Sequence, residues 1–339
     1  MALDRPDGDS ESILGGNCVK ISSQRLLQES EATGFRPEIL EKAIHLLNLL
    51  TGFNQHPFLR DRVALKGGTA LNLFILDLPR LSVDIDLNYV GAVDVSAMQS
   101  ERPRLEEAIT AVCSREGLIV ARSPGDEHAG GRFVLRYESA LGGGGNLKLD
   151  INYMFRQPLW PVRRMDSYAH GTIGAVDIAC VDIHELAAGK LAALLARHAS
   201  RDLFDAHQLL TTQQFDIGRL RLAFVVYGAL NRKDWRTVSA GDVGFSPNEI
   251  KNELIPVLRR TAAGDLPELM PRLVDDVRDK LAMVLPLSDG ESRFLSQLLD
   301  EGIIAPALLT DDHELGERIR NHPGLSWKAV NVRAHRRSR

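Results

Sequence analysis

The sequence predicts an α/β domain with a mixed sheet followed by an all-helical domain, and three observations carry that expectation. Segments 81–89, 132–137 and 146–153 alternate apolar and polar residues with the period of two that turns one strand face toward a core. Between Arg62 and Leu76 an apolar run passes through adjacent glycines into helical spacing, which marks a strand-to-helix junction. From about Asp182 onward, apolar residues recur only at helical spacing.

At 339 residues the chain exceeds the usual size of one domain. We place a disordered segment at 1–23, the α/β domain at 24–175, the helical domain at 176–332 and a loose basic tail at 333–339. A hydrophobic fraction of 44% with 25% charged residues is that of a chain with a real core. The formal net charge of -4 argues against a globally basic nucleic-acid binder, while leaving room for a local basic patch such as Arg333, Arg336, Arg337 and Arg339. Cys18, Cys113 and Cys180 lie far apart without a CxxC pair, against a zinc site or a disulfide framework and in keeping with a reducing compartment. The acidic, polar start lacks the pattern of a signal peptide, and no window approaches eighteen consecutive apolar residues. The expectation is a cytoplasmic protein with no membrane span.

Taken in order, Pro37 opens a helix to about Leu50, with Leu40, Ala43, Ile44 and Leu47 at helical spacing. Residues 62–65 form a short strand ending at Gly67-Gly68, and a helix follows from Thr69 to Leu76. In the strand 81–89, Ser82, Asp84, Asp86 and Asn88 share one face and Leu81, Val83, Ile85 and Leu87 the other. A helix is expected at 104–116. The runs 132–137 and 146–153 form a β-hairpin closed by the cluster Gly142 to Gly145. Further helical stretches fall near 182–210, 219–230, 248–261, 266–284 and 290–302.

Four features could carry chemistry. Asp84 and Asp86 leave one strand face about 6.5–7 Å apart, a spacing at which two carboxylates can share a hard divalent cation. Alone, the pair equally describes a solvated strand end. Lys66-Gly67-Gly68-Thr69 sets glycines and a helix start where backbone N–H groups could approach a phosphate, or simply a tight turn with an N-cap. Asp150 shares a strand face with Lys148 and Asn152, which serves a site or one wet sheet face. Lys190, Arg197 and Arg201 are seven and eleven residues apart, so on one continuous helix they stay within roughly 20° of each other. Asp205 lies near that stripe and Asp202 further round it. Such a line suits a triphosphate, or a solvated helix face paired by its aspartates.

Taken together and in this order, the four resemble the sequence logic of the polymerase-β-like nucleotidyltransferase fold. More narrowly, Lys66-Gly67-Gly68-Thr69-Ala70-Leu71, Ser82-Val83-Asp84-Ile85-Asp86-Leu87, Leu147-Lys148-Leu149-Asp150 and the helix carrying Lys190, Arg197, Arg201, Asp202 and Asp205 resemble the AbiEii toxins of type IV toxin–antitoxin and abortive-infection systems. His322-Pro323 and Trp327-Lys328 resemble that family's closing segment, so the likeness spans about 37–333.

The resemblance implies transfer of a nucleoside monophosphate from an NTP with release of pyrophosphate. It assigns catalytic roles to Asp84, Asp86, Asp150 and Lys190. Mg²⁺ or Mn²⁺ would sit on Asp84, Asp86 and Asp150. Phosphate contacts would fall to Lys66, Gly67, Gly68, Thr69 and Lys190, with Arg197, Arg201, Asp202 and Asp205 in the helical motif. It further implies a tRNA 3′ end as acceptor and a separately encoded antitoxin as partner. Two alternatives stand beside it: the same chemistry on a protein side chain or small molecule, and a degenerate nucleotide-binding module acting through a partner. The Gly142–Gly145 run departs from the family pattern and suggests a flexible loop near the acceptor.

Overall fold

The computed structural model describes residues 21–77, 79–125, 129–169, 174–264 and 266–337. Most of the segment expected to be disordered, residues 1–20, lies outside these, as do Cys18 and Arg339. Strands β1 (Val63–Lys66), β2 (Asp84–Tyr89), β3 (Ile119–Arg122), β4 (Gly130–Glu138), β5 (Gly144–Asn152), β6 (Arg163–Met165) and β7 (Ile178–Cys180) form one mixed sheet in the order β3-β4-β5-β2-β1-β7-β6. Pairs β2–β5 and β1–β7 are parallel and the others antiparallel. β4 and β5 make the expected hairpin, and Gly142 and Gly143 take positive φ in its turn. β7 lies past the boundary expected at 175 and joins the sheet between β1 and β6, and its three residues are too few to show a period.

Helices α1 (Ser23–Thr33) and α2 (Pro37–Gln55) precede β1. α3 (Gly67–Ala70) continues β1 directly and passes into a π-helical turn, Leu71–Ile75. α4 (Val95–Arg115) begins earlier than expected and runs through Pro103; Asp94 caps it by accepting from Ala97 N at 2.9 Å. β2 begins only at Asp84, because the preceding residues are drawn away from the sheet: Leu81 N donates to Val257 O at 2.9 Å and Arg80 bridges Leu258.

The remaining helices are α5 (Ile183–Arg197), α6 (Ser200–Thr212), α7 (Ile217–Ala229), α8 (Pro247–Glu249), α9 (Leu266–Lys280), α10 (Asp289–Ser296), α11 (His313–Arg320) and α12 (Pro323–Arg337). Three expectations are corrected here. The single helix expected across 182–210 is two, since His198 adopts φ 56° and ends α5 before α6 starts on its own axis. The tail expected to be loose is helical to Arg337, with Arg333 donating to Gly302 O. The stretch 248–261 is a series of short turns, broken where Pro256 lacks an N–H. One connected hydrophobic core runs from Leu26 to Ala329, and α5 packs on α7 and α6. No helix among the described residues is long and apolar enough to cross a membrane.

Candidate active site

A cavity of about 440 Å³ opens where the β1–α3 junction and β2 face α5, α6 and α7. Lys66, Gly67, Gly68 and Asp86 line it from the sheet, and Lys190, Arg197 and Asp202 from the helices. A larger cavity of about 660 Å³ lies at the hairpin end of β4 and β5 against α2. It holds none of the paired aspartates, so the smaller cavity is the candidate site.

Strand register assembles the sheet side. Lys66 pairs with Asp86, Asp86 with Asp150, and Asp150 with Arg132, so one row crosses β1, β2, β5 and β4 on a single face. Asp84 stands on the same face two residues along, opposite Lys148. Burial pushes the Asp86 carboxyl above its usual range, and Asp150 and Asp84 act in the same direction against Lys66 and Lys190. At the far end of the row Arg132 holds Asp150: Nε donates to Oδ1 at 2.6 Å and Nη2 to Oδ2 at 2.7 Å.

The glycines serve this row. Gly67 has φ +70°, and a Cβ there would lie 2.4 Å from Asp86 Oδ2, so only glycine lets β1 turn into α3 beside that carboxylate. Thr69 was expected at the phosphate, but it is fully buried with its hydroxyl committed elsewhere. Its Oγ1 donates to Asp84 O and shares a hydrogen bond with Ser82 Oγ at 2.9 Å, which pins the start of β2.

On the helical side the expected stripe is replaced by a buried network. Lys190 Nζ donates to Asp202 Oδ1 at 2.9 Å and lies 2.8 Å from Asp205 Oδ2. Arg80, 3% exposed, grips Asp205 through Nε at 2.8 Å and Nη2 at 2.7 Å. Arg197, on the cavity rim, donates to Asp202 Oδ2 at 2.6 Å. Burial alone would raise both aspartates, but Lys190 and Arg197 hold Asp202 well below the carboxylate range, and Arg80 and Lys190 hold Asp205 below it. Arg201 is not brought to the cavity. The break at His198 turns it outward, where it pairs with Glu253 at 2.7 Å.

Three residues of the site were not expected from the sequence. Arg80 and Arg132 find their aspartates 125 and 18 residues away, a relation that carries no local periodic signal. Glu185 lines the cavity floor, and burial pushes its carboxyl up to about 7 although Tyr227 Oη and Trp160 N donate to it. It precedes Lys190 by five residues, about 140° round the helix, so helical spacing gave no cue to it.

The donor set fits a hard divalent cation. Asp84 and Asp86 present carboxylates on one strand face, the donor type with which Mg²⁺ is bound through one or two carboxylates and substrate phosphates. No group of three or more His, Cys, Asp or Glu side chains among the described residues forms a ready cage. The third expected ligand, Asp150, has both its oxygens hydrogen-bonded by Arg132.

Comparison with known proteins agrees with the order of these elements. The chain is similar over 87% of its length to MenT4, a nucleotidyltransferase toxin from Mycobacterium tuberculosis H37Rv, covering 97% of that chain with a TM-score of 0.56 and 19% identity. At that identity the likeness shows a shared fold. No curated protein matches the chain. The family described as "Nucleotidyl transferase AbiEii toxin, Type IV TA system" matches residues 48–287. That stretch takes in the β1–α3 junction, the carboxylate row and the Lys190 network, and the chain therefore belongs to the AbiEii nucleotidyltransferase toxin family.

Proposed function

We propose that this toxin transfers a nucleoside monophosphate from an NTP to the 3′ end of tRNA, with pyrophosphate as the leaving group. The observation that carries the reading is the meeting, at one cavity, of Asp86 and Lys66 from the sheet with Lys190 and Arg197 from the helices, Asp84 standing two residues along the Asp86 strand face. The acceptor hydroxyl oxygen bonds to the α-phosphorus as the α–β bridging bond breaks; pyrophosphate takes the electron pair and the hydroxyl proton passes to water. Asp84 and Asp86 would hold Mg²⁺ or Mn²⁺, which supplies neutralisation of charge on the attacking and leaving oxygens when bound. Lys66 and the N–H groups at the start of α3 face the phosphates, and Arg197 meets them from the opposite rim. Lys190 acts from behind this surface by fixing Asp202 and Asp205. A separately encoded antitoxin neutralises the activity.

The test is incubation of the purified chain with each labelled NTP, Mg²⁺, and either total tRNA or a protein extract. Label on tRNA that Asp86→Asn abolishes supports the proposal. Label on protein alone replaces the acceptor, and growth inhibition unchanged by Asp86→Asn removes the enzymatic reading.

A further inference from the structure

Arg132 and Asp150 stand opposite each other in the β4–β5 ladder, and the guanidinium covers both carboxylate oxygens at 2.6 and 2.7 Å. A metal ion would use those same oxygens, and the guanidinium takes one lone pair of each while its positive charge opposes a second cation beside it. Both side chains are well exposed, 56% for Arg132 and 36% for Asp150, so water competes for the pair and it contributes little to stability. The pair is therefore free to open. Asp84 and Asp86 lie close enough to add to the field that Asp150 imposes on the guanidinium. Arg132 thus sets a fixed positive charge on the carboxylate that a cation shared by all three would need.

We propose that Arg132 is a positioning residue that caps the third carboxylate of the resting toxin, so that Asp150 joins Asp84 and Asp86 around a divalent cation only once Arg132 has swung away. This rests on the nucleotidyl-transfer reading of the site. In the capped state the cation sees two carboxylates, Asp84 and Asp86; in the open state it sees three. Arginine suits the role because its planar fork meets both oxygens together, which a lysine ammonium cannot.

The test is Mn²⁺ binding to the full chain without nucleotide, read from the loss of the free-ion electron paramagnetic resonance signal. Urea midpoints confirm that each variant is folded. Arg132→Ala is expected to tighten Mn²⁺ binding at least threefold, and Arg132→Lys to give an intermediate gain. Adding Asp150→Asn to Arg132→Ala is expected to erase the gain. Affinity unchanged or weakened in Arg132→Ala overturns the proposal, as does a gain that survives the added Asp150→Asn. Failure of the underlying reading looks different: Mn²⁺ uptake would then be absent, or equal in wild type and Asp86→Asn. In that case the cap has no metal to exclude and the proposal falls with the reading.

Discussion

Gly67 and Asp86 are packed so closely that a methyl group on the first would stand 2.4 Å from a carboxylate oxygen of the second. Gly67→Ala should therefore displace Asp86 as well as strain a left-handed residue. An error of about 1 Å in a reacting group costs on the order of 100-fold in rate, and a loss of at least that size is expected in nucleotide transfer. Gly68→Ala is the control, since a Cβ there meets nothing nearer than Arg80 Nη2 at 3.4 Å. It should fold normally and show its effect in KM for the NTP.

Asp86→Asn should abolish transfer while making the protein more stable. Burial holds the Asp86 carboxyl above its unfolded value, so its ionisation opposes folding as pH rises through that window. Removing the charge should add about 1 kcal/mol at neutral pH, as is common when a strained active-site group is neutralised. Thermal unfolding of the two proteins at pH 7 and at pH 4 checks this, with the gap closing at the lower pH.

Lys190→Ala should destabilise the fold as well as the reaction. The substitution leaves Asp202 and Asp205 buried with one cation fewer, and breaking a buried pair costs roughly 3–5 kcal/mol. Arg201→Ala, at an outward pair, should cost about 0–1 kcal/mol and keep its turnover. Urea unfolding and turnover per folded molecule separate the two variants.

Acid should unfold the protein through the same network. Asp202 and Asp205 are held below the unfolded aspartate value, so their stabilisation is full above roughly pH 4 and is lost as pH falls through their folded values. Lys190 is held above its unfolded value, because Asp205 and Asp202 outweigh the effect of burial. Its contribution is therefore present below roughly pH 10 and lost as pH rises further. The urea midpoint of the wild type should fall steeply below pH 4, and Asp205→Asn should flatten that limb by about 1.4 kcal/mol per pH unit for the one proton removed.

Much of the site's sheet side was legible in the chain. The alternation of 81–89 and 146–153 settles which residues share a face, because strand period is a local property of covalent geometry. It placed Asp84 and Asp86 together on one face, and Asp150 on a polar strand face of its own. Gly67-Gly68 at a strand end likewise announces a close backbone approach. That the approach is to Asp86 was not visible, since the register bringing Lys66 opposite Asp86 is a pairing between strands.

The helical side was less legible. The 3.6-residue period persists through His198, so the chain reads as one helix and the cations as one stripe, while a single left-handed residue ends the helix and redirects everything after it.

By itself, then, the sequence of this AbiEii protein determined its longer strands and helices, the shared face of Asp84 and Asp86, and the glycine junction, all consequences of periodicity and backbone sterics. Tertiary structure alone decided that Asp150 lies beside Asp86 under Arg132, that Thr69 supports β2, that Arg80 and Lys190 share Asp205, and that Arg201 leaves the site. The physical reason is range. Face and turn follow from neighbours along the chain, whereas the partner of a charge is chosen by whichever distant segment packing and desolvation bring against it.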